Sequence, residues 1–546
     1  MTVTVQPPGA PAGRRQTRRL ALAAAAAFVL TALVRFLALT GFPNDHFLYL
    51  APAQQMQFGE WPSRDFVDPG TPLMYLTSAA AHLAVGAPLL GEALVVSFAF
   101  GLAAALTLAA AFRASGLLWI ALLVTAVEVA MFPRSYHYPK LLLHAAGLVA
   151  MWRYVDAPSR ARAALVSACV AVAFLFRHDL AVYLGAAGLV AAVLARPGWR
   201  DAIRRAGHVV LFGFLFVAPY LVYVETTTGL AAHLASGLGY SRRESVRTLL
   251  ALPRFNVEAL ASADNARVWL FYTFHLLPLA ALALVGWRAA RRRSDWSRTE
   301  AAQIVALVVL AITANLALLR HPLQARLPDV AVPACVLAAW LAPRAWRAAR
   351  ARVPVRLLVM LVTLVSLAGV HVVGAPVEQL NRAGILAYPG RVGAFLAERR
   401  AELRMPIPPR QLPSQIVEDL VPFIEYVSRC TETGHRLFIA GEAPEIYVFA
   451  RRRFAGGQPA LRGGFFDTTE DQRRLVSRLR RQQVPLALVI PDSDAAAFPL
   501  VMRQVEMQFR PLAELPVEGR PNVLLRVSRV MTPRGVDAAT GFPCFR

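Results

Sequence analysis

The sequence predicts an α-helical polytopic membrane protein that carries a soluble α/β domain at its C-terminus. Of its 546 residues, 56% are hydrophobic and only 17% are charged, and the mean hydropathy is +0.46. A soluble protein of this length needs a more polar surface, and the apolar residues here fall in runs long enough to cross a bilayer. The arginines form short clusters between those runs, which is typical of cytoplasmic loops.

Eleven apolar segments have the length of a membrane span, and one further segment at 71–87 is shorter. The longer ones lie near residues 20–40, 93–112, 116–132, 140–155, 163–180, 180–196, 207–224, 267–287, 301–319, 328–342 and 355–374. We therefore predict about eleven to thirteen hydrophobic helices. The first is too long for the apolar part of a signal peptide, so we expect it to be retained.

The basic connectors predict which side of the membrane each loop faces. Connectors 153–162, 196–205, 288–298 and 343–356 are rich in arginine and are assigned to the cytoplasm. Residues 132–140, 177–179, 225–266 and 320–326 then face the outside, as does everything after Gly374. Three apolar segments lie between two outer regions, which is one too many, so 71–87 is predicted to be an interfacial or re-entrant helix.

The predicted domains are a cytoplasmic tail (1–19), a transmembrane domain (20–374) with an outer loop at 41–70, and an extracytoplasmic α/β domain (375–546). In the last of these, strand-like runs alternate with a charged helical stretch, TTEDQRRLVSRLRRQQ. The strand-like runs are RLFIAGEAPEIYVFARRRF, PLALVIPD and NVLLRVSRV. This domain either caps the outer face, binds an acceptor or serves as a structural lid.

The four cysteines and the net charge restrict the partners. Cys430 and Cys544 lie in the C-terminal region and could pair if it is exported, whereas Cys169 and Cys335 lie in apolar segments. No cysteine or histidine spacing predicts a metal site. The net charge of +24 is spread over loop clusters, so we expect contacts with membrane lipids and not with nucleic acid.

The outer loop 41–70 contains the first candidate group. Asp45 follows the first helix and is either a general base for an acceptor hydroxyl or a helix N-cap. Asp65 either joins the catalytic site or forms a surface ion pair with its neighbour Arg64. Asp68 precedes Pro-Gly and is predicted to be a turn residue.

Three further groups fall on the same predicted side. In SYHYPK, His137, Tyr138 and Lys140, the one lysine of the chain, either form a phosphate site at a helix start or mark a snorkelling lysine. In a second group, Arg177, His178 and Asp179 either bind phosphate or form an internal ion pair. A third group, with Arg320, His321 and Arg326, suits a lipid phosphate or lipid headgroups.

These groups converge on transfer of a sugar from a polyprenyl-phosphate donor. Cations near a leaving phosphate stabilise the charge that develops on it, while a carboxylate base activates the acceptor hydroxyl. The acceptor hydroxyl belongs to a glycan, a lipid or a protein. Two carboxylates in the outer loop leave open a divalent cation as cofactor.

The outer loop resembles that of the GT-C superfamily of polytopic glycosyltransferases, in the bacterial branch of the protein-mannosyltransferases and aminoarabinose transferases. The resemblance rests on Asp45, Tyr49 and Ala53, then Gly59, Arg64-Asp65 and Pro72-Leu73-x-Tyr75. It implies a multi-helix bundle with juxtamembrane helices, and it implies that Asp45 is the catalytic acid of the first outer loop.

The chain departs from the family pattern at two places. The family often has a second acid beside the first, where this chain has His46, and a later acid near Tyr138-Pro139, where this chain has none. Asp65, Glu128 and Asp179 are the possible substitutes.

Two other functions remain open. A transporter or flippase of lipid-linked saccharides requires inverted repeats and broken helices near mid-membrane. The sequence shows no internal repeat, and its ionisable residues cluster at one face. A membrane scaffold that only displays the C-terminal domain leaves Asp45, Lys140 and Arg177 unexplained. The transferase is expected in the bacterial inner membrane, with its C-terminal domain outside.

Overall fold

The computed structural model describes residues 14–247, 252–259, 261–291, 297–320, 323–349, 353–409, 415–491 and 493–546. It divides into two compact units. The first comprises Met1–Ala38, Val96–Pro219 and Thr248–Val392. The second comprises Leu39–Val95, Tyr220–Arg247 and Gly393–Arg546.

Helices dominate the described part of the chain. The first twelve are α1 (Arg14–Leu37), α2 (Asn44–Gln57), α3 (Pro72–Val85), α4 (Pro88–Ser115), α5 (Leu118–Ala130), α6 (Tyr138–Asp156), α7 (Arg160–Phe176), α8 (His178–Leu194), α9 (Trp199–Thr227), α10 (Leu230–Arg247), α11 (Ala263–Ala290) and α12 (Arg298–Asn315). The next eleven are α13 (Leu323–Arg326), α14 (Ala331–Ala349), α15 (Val353–Gly374), α16 (Pro376–Arg382), α17 (Val392–Glu402), α18 (Gln415–Asp419), α19 (Val421–Cys430), α20 (Glu445–Ala450), α21 (Thr469–Arg481), α22 (Ser493–Ala496) and α23 (Pro499–Gln508). Short 3₁₀ helices cover Ser135–His137, Leu316–Leu319, Leu327–Val330 and Pro389–Arg391.

Each of the eleven predicted apolar segments coincides with a helix, which confirms the predicted class of multi-pass membrane protein. Within the described residues, 7 helices are long and apolar enough to cross a membrane. The first begins at Arg14, earlier than the predicted start at residue 20. Helix α3 has 14 residues and is about 21 Å long, shorter than a hydrocarbon core of about 30 Å. Its interfacial or re-entrant placement stays a prediction.

The core of the first unit forms where α6, α7, α8, α12 and α14 pack through small and aliphatic side chains. Within this core the indole N–H of Trp152 donates to the main-chain oxygen of Gln303 at 3.0 Å. Gly374 ends α15 where the chain passes Ala130 of α5, and a Cβ there would collide with the carbonyl oxygen of Ala130. Only glycine permits that approach.

The second unit is built around a mixed five-stranded sheet with the strand order β2-β1-β3-β5-β4. Its strands are β1 (Arg436–Ala440), β2 (Arg453–Phe454), β3 (Leu486–Val489), β4 (Phe509–Leu515) and β5 (Val523–Ser528), and a separate hairpin joins β6 (Gly535–Val536) to β7 (Pro543–Cys544). Strand β1 runs parallel to β2 and β3, and β5 runs antiparallel to β3 and β4. The soluble α/β domain and the helix in TTEDQRRLVSRLRRQQ are therefore confirmed.

Two details of this domain differ from the prediction. The run around EIYVFA was predicted to be strand-like, but it forms the helix α20, because all six of its residues are buried and no strand pattern alternates there. Strand β4 was not predicted, since its sequence FRPLAEL mixes exposed and half-buried residues. Helix α2 packs on α20, and the Gln54 amide donates to the main-chain oxygen of Tyr447 at 2.9 Å.

A disulfide joins Cys430 to Cys544, a pairing that the sequence left open. It links the end of α19 to β7 across 114 residues of sequence. The main-chain N–H of Phe545 donates to the carbonyl of Cys430 at 2.7 Å. The terminal hairpin is thus held both covalently and by the backbone.

Candidate functional site

Most of the predicted phosphate-binding residues converge in the first unit. We call this group the basic cluster: His137, Lys140, Arg177, Asp179, Arg320, Arg326 and Asp329. They come from the start of α6, the junction of α7 and α8, and the segment between α12 and α14. Lys140 interacts electrostatically with Asp329, Arg177, Asp179 and Arg326, and Tyr183 interacts with both Arg320 and Arg326.

Asp329 is the centre of the basic cluster. Its carboxylate forms an ion pair with Lys140, and its Oδ1 lies 2.7 Å from Nδ1 of His137. Lys140 is 4% exposed and Asp329 is 2% exposed. Charges buried this deeply need a partner, because taking an ion out of water costs several kcal/mol.

The buried pair corrects the prediction for Lys140. A lysine that snorkels to the interface keeps its ammonium group in water, and this one does not. Asp329 was missed, although it stands as an isolated acid in the apolar run LPDVAVPAC. An acid at membrane depth is a signal of function or of a buried partner.

Arg177 forms the more open part of the basic cluster. Its Nε donates to Oδ1 of Asp179 at 3.0 Å and its Nη2 donates to Oδ2 at 2.9 Å. The predicted ion pair is therefore confirmed, and it is bidentate. Asp179 lies in the first turn of α8, where the helix dipole favours an anion. Arg177 is the extended residue between the two helices.

The remaining members of this region pack around these pairs. Tyr138 lies edge-on against Phe176 with ring centroids 6.1 Å apart, and His178 lies 4.6 Å from Phe174. Arg320 and Arg326 are half-buried; Arg320 precedes α13, and Arg326 is its last residue. His321, which was predicted to belong with them, lies outside the described residues.

The basic cluster carries an excess of positive charge. Lys140, Arg177, Arg320 and Arg326 are its cations, and Asp179 and Asp329 are its anions. With neutral histidines the net charge is +2. Such a group can hold a phosphate through charge-assisted hydrogen bonds.

Asp45 lies in the second unit, in the first turn of α2. The N-cap of that helix is Pro43, so the alternative that Asp45 is itself the cap is wrong. The carboxylate is half-buried and gains from the helix dipole at this end. Its role as a base stays a prediction.

His46 stands where the family pattern has a second acid, and the structure gives it an acidic partner. Its Nε2 lies 2.6 Å from Oε1 of Glu92 in α4, and the two side chains are 0% and 1% exposed. Glu92 was not predicted. Its signal is an acid inside the apolar stretch GAPLLGEALVV.

Arg64 and Asp65 lie beyond the other end of α2. Arg64 donates from Nε to Oδ2 of Asp65 at 2.8 Å and from Nη2 to the carbonyl of Gly59 at 3.1 Å. The predicted surface ion pair is confirmed. That Asp65 joins the catalytic site stays a prediction.

Asp68 is a turn residue, as predicted. Its Oδ1 accepts from the main-chain N–H groups of Gly70 at 2.8 Å and Thr71 at 2.9 Å. It is also more than that, because the Tyr220 hydroxyl donates to its Oδ2 at 3.1 Å. Burial raises the pKa of Asp68 above its usual value.

Tyr220 continues the polar contact to a histidine. Its hydroxyl oxygen lies 3.3 Å from Nε2 of His233. This contact was not predicted, because 225–266 was interpreted as one long loop. In the structure α9 continues to Thr227 and α10 begins at Leu230, which places His233 on a helix.

Two further groups of side chains concern the missing family acid and a metal site. Glu128 is buried within α5, at 2% exposure. The ligand atoms of Cys430, Asp537 and Cys544 lie close enough to hold a metal, but the two sulfurs are joined in the disulfide. Arg429 pairs with Asp537 at 3.3 Å.

Comparisons with known proteins find similarity at the level of the fold. No family model and no curated protein sequence matches the chain. A crystal structure of ArnT from Cupriavidus metallidurans bound to undecaprenyl phosphate superposes with a TM-score of 0.49 and 14% identity, over 95% of this chain and 100% of that one. The apo structure of the same protein gives a TM-score of 0.47 and 13% identity, over 93% and 98%.

Proposed function

We propose that this protein is an integral-membrane glycosyltransferase that moves a sugar from a polyprenyl-phosphate donor to a hydroxyl acceptor. The observation that supports this most is the basic cluster, in which four cations and two carboxylates lie among apolar helices. A polyprenyl phosphate has a long apolar chain and an anionic head. The helices suit the chain, and the net charge of +2 suits the head.

The pairs within the basic cluster orient its cations for this role. Asp329 holds Lys140 and His137 in place, and Asp179 holds both edges of the Arg177 guanidinium. Fixed cations need no reorganisation when the sugar leaves and charge develops on the phosphate. The leaving phosphate carries more negative charge in the transition state than in the bound donor. The cations therefore stabilise the transition state more than the ground state.

Asp45 is proposed as the general base. Its carboxylate takes the proton of the acceptor hydroxyl while that oxygen bonds to the anomeric carbon of the sugar. The bond from the anomeric carbon to the phosphate oxygen breaks, and polyprenyl phosphate leaves with the electron pair. His46 and Glu92 are proposed to hold the start of α2 in position behind Asp45.

The reaction is proposed to occur at the outer face of the bacterial inner membrane, with the C-terminal domain outside. The Cys430–Cys544 disulfide supports this side, because disulfides persist in oxidising compartments and are rare in the cytosol. The acceptor is a glycan, a lipid or a protein with a free hydroxyl.

Two variants of the full-length protein in lipid nanodiscs separate binding from chemistry. Arg177→Ala is expected to weaken binding of polyprenyl phosphate about tenfold or more, through loss of a charge-assisted contact. Asp45→Asn is expected to bind it normally and to transfer sugar about a hundredfold more slowly or worse. Binding is measured by native mass spectrometry, and transfer with a labelled polyprenyl-phosphate sugar.

Two matched controls accompany these variants. Arg160→Ala removes an exposed arginine from the opposite end of α7 and is expected to bind polyprenyl phosphate as the parent does. Asp65→Asn removes another acid of the outer loop, one that pairs with Arg64 at the surface, and is expected to leave transfer within a few-fold. Unchanged polyprenyl-phosphate binding in Arg177→Ala contradicts the proposed donor site.

A further inference from the structure

A cleft in the second unit is not used by the proposed transfer chemistry. It offers about 90 Å³ of space. Its ionisable and hydroxyl side chains are Ser63, Asp68, His233, Asp471, Arg474 and Arg478. They come from the loop after α2, from α10 and from the α/β domain.

Ser63 gives the first sign that the cleft holds a ligand. Its φ is +64°, which costs a residue with a side chain about 1–2 kcal/mol. The side chain is 5% exposed, and its hydroxyl has no hydrogen-bond partner among the described residues. A buried hydroxyl without a partner costs a further amount of about 1–3 kcal/mol. Strain and an unmet hydroxyl in one residue of a cleft are characteristic of binding sites.

Arg478 gives the second sign. It is half-buried, and it donates to the main-chain oxygen of Arg64 at 3.3 Å. Burial lowers the pKa of Arg478. Within the described part of the chain no carboxylate oxygen lies within ion-pairing distance of it, whereas Arg474 pairs with Glu470 at 3.1 Å. Asp65 and Glu60 attract Arg478 from beyond ion-pairing distance. A desolvated guanidinium that no carboxylate contacts favours an anionic ligand.

The backbone is shaped to admit this guanidinium. Gly457 has a φ of +78°, and a Cβ on it would collide with the guanidinium of Arg478. The main-chain oxygen of Gly457 accepts from the N–H of Val67 at 2.9 Å, which ties the loop after α2 to the same turn. Glycine is required here both by conformation and by space.

Asp68 supplies the acceptor side of the cleft. Three donors already bond to its carboxylate, namely two main-chain N–H groups and the Tyr220 hydroxyl. A carboxylate has about four lone-pair positions, so one remains for a ligand hydroxyl. Phe66 and Phe466 add apolar ring surface to the lining, which suits the C–H face of a sugar ring.

We propose that this cleft binds an anionic saccharide, whose phosphate or carboxylate pairs with Arg478 and Arg474 and whose hydroxyls bond to Ser63 and Asp68. Under the proposed function, on which this inference rests, that saccharide is the acceptor or the terminal sugar of the acceptor. A neutral sugar would leave the guanidinium of Arg478 without an anionic partner. An anion without a sugar would leave the Ser63 hydroxyl and the remaining acceptor position of Asp68 without a partner.

The test is a calorimetric titration of the full-length protein in zwitterionic nanodiscs with four probes: glucose 1-phosphate, glucuronate, glucose and inorganic phosphate. We expect glucose 1-phosphate or glucuronate to bind at least about tenfold more tightly than glucose and inorganic phosphate. The stronger of the two identifies the anionic group. Equal binding of glucose, or no binding of either anionic sugar, overturns the proposal.

Variants locate the binding. Arg478→Gln is expected to weaken the anionic sugar about tenfold or more, and Ser63→Ala by a few-fold. Arg473→Gln removes an exposed arginine of the same helix that does not line the cleft, and it is expected to bind as the parent does. Unfolding curves for all three variants show whether each is folded. If folded Arg478→Gln binds the anionic sugar normally, the assignment of the cleft fails.

Two comparisons separate the sources of the anion and the two proposals. Nanodiscs of anionic phosphatidylglycerol distinguish a membrane headgroup from a saccharide, because competition by the lipid alone, with no sugar binding in zwitterionic discs, contradicts the saccharide. The titration needs no donor. Normal polyprenyl-phosphate binding by Arg177→Ala therefore rejects the proposed function alone, and normal sugar binding by Arg478→Gln rejects only the assignment of the cleft.

Discussion

The basic cluster and the cleft differ in how many of their buried polar groups have a partner. In the basic cluster Lys140 and His137 meet Asp329, and Arg177 meets Asp179. In the cleft the Ser63 hydroxyl has no partner among the described residues, and Arg478 donates to a main-chain oxygen. In the basic cluster most charged groups are paired, although Nε of Arg326 has no partner among the described residues.

The two sites are therefore expected to respond differently to a ligand. Paired ions keep their geometry without a ligand, because removal of either partner leaves a costly buried charge. Unmet groups cost free energy in the empty protein and recover it when a ligand supplies the missing partners. The unpaired groups of the cleft therefore lower the stability of the protein without ligand, whereas the ion pairs of the basic cluster keep buried charges compensated.

The largest expected effect comes from Asp329→Ala. It leaves Lys140 and His137 buried without their carboxylate, and we expect a loss of about 3–5 kcal/mol in the free energy of unfolding. Chemical denaturation in detergent measures it. Asp179→Ala, which breaks a pair that is partly exposed, is the control and is expected to cost about 1 kcal/mol.

A second substitution tests whether the cost arises from the unpaired charge. Asp329→Ala combined with Lys140→Met removes both ions and keeps an apolar side chain of similar length. The double variant is expected to recover much of the lost stability. Equal losses for Asp329→Ala and Asp179→Ala would contradict the description of the basic cluster as buried pairs.

A middle effect is expected from Tyr220→Phe at the edge of the cleft. It removes the hydroxyl that donates to Asp68 and keeps the ring, and we expect a loss of about 1–3 kcal/mol. Tyr223→Phe in the same helix is the matched control. It loses a bond to the neutral carbonyl of Pro62 and is expected to cost about 1 kcal/mol.

The loss in Tyr220→Phe should also depend on pH. The hydroxyl bond lowers the pKa of Asp68 against the larger effect of burial, which raises it. The bond therefore favours the ionised carboxylate, and the variant has the higher folded-state pKa. The difference in stability should grow as pH rises through that pKa. A loss that shrinks with rising pH would refute this account of the contact.

The smallest effect has the opposite sign. Ser63→Gly removes the strain of a positive φ but adds freedom to the unfolded chain, so we expect a gain of up to about 1 kcal/mol. Binding of the anionic sugar is expected to fall a few-fold. Ser63→Ala keeps the strain and loses only the hydroxyl, which makes it the control. A clearly destabilised Ser63→Gly protein would show that the serine is structural.

The features that could be predicted from the sequence are those that depend on residues close together in the chain. Runs of apolar residues determined the eleven helices, since span length and hydropathy are local properties. The Arg177–Asp179 pair spans two residues, and the Asp68 turn spans three. Alternation of strand-like runs with a charged helical stretch was enough for the α/β class of the C-terminal domain.

What only the tertiary structure decided are the contacts between distant parts of the chain. Lys140 meets an acid 189 residues away, His46 meets one 46 residues away, and Asp68 meets a tyrosine 152 residues away. Each acid or hydroxyl looked isolated in the sequence, because no local pattern encodes which distant side chain will compensate a buried charge. Helix packing makes that choice, and it brought Asp329 to Lys140.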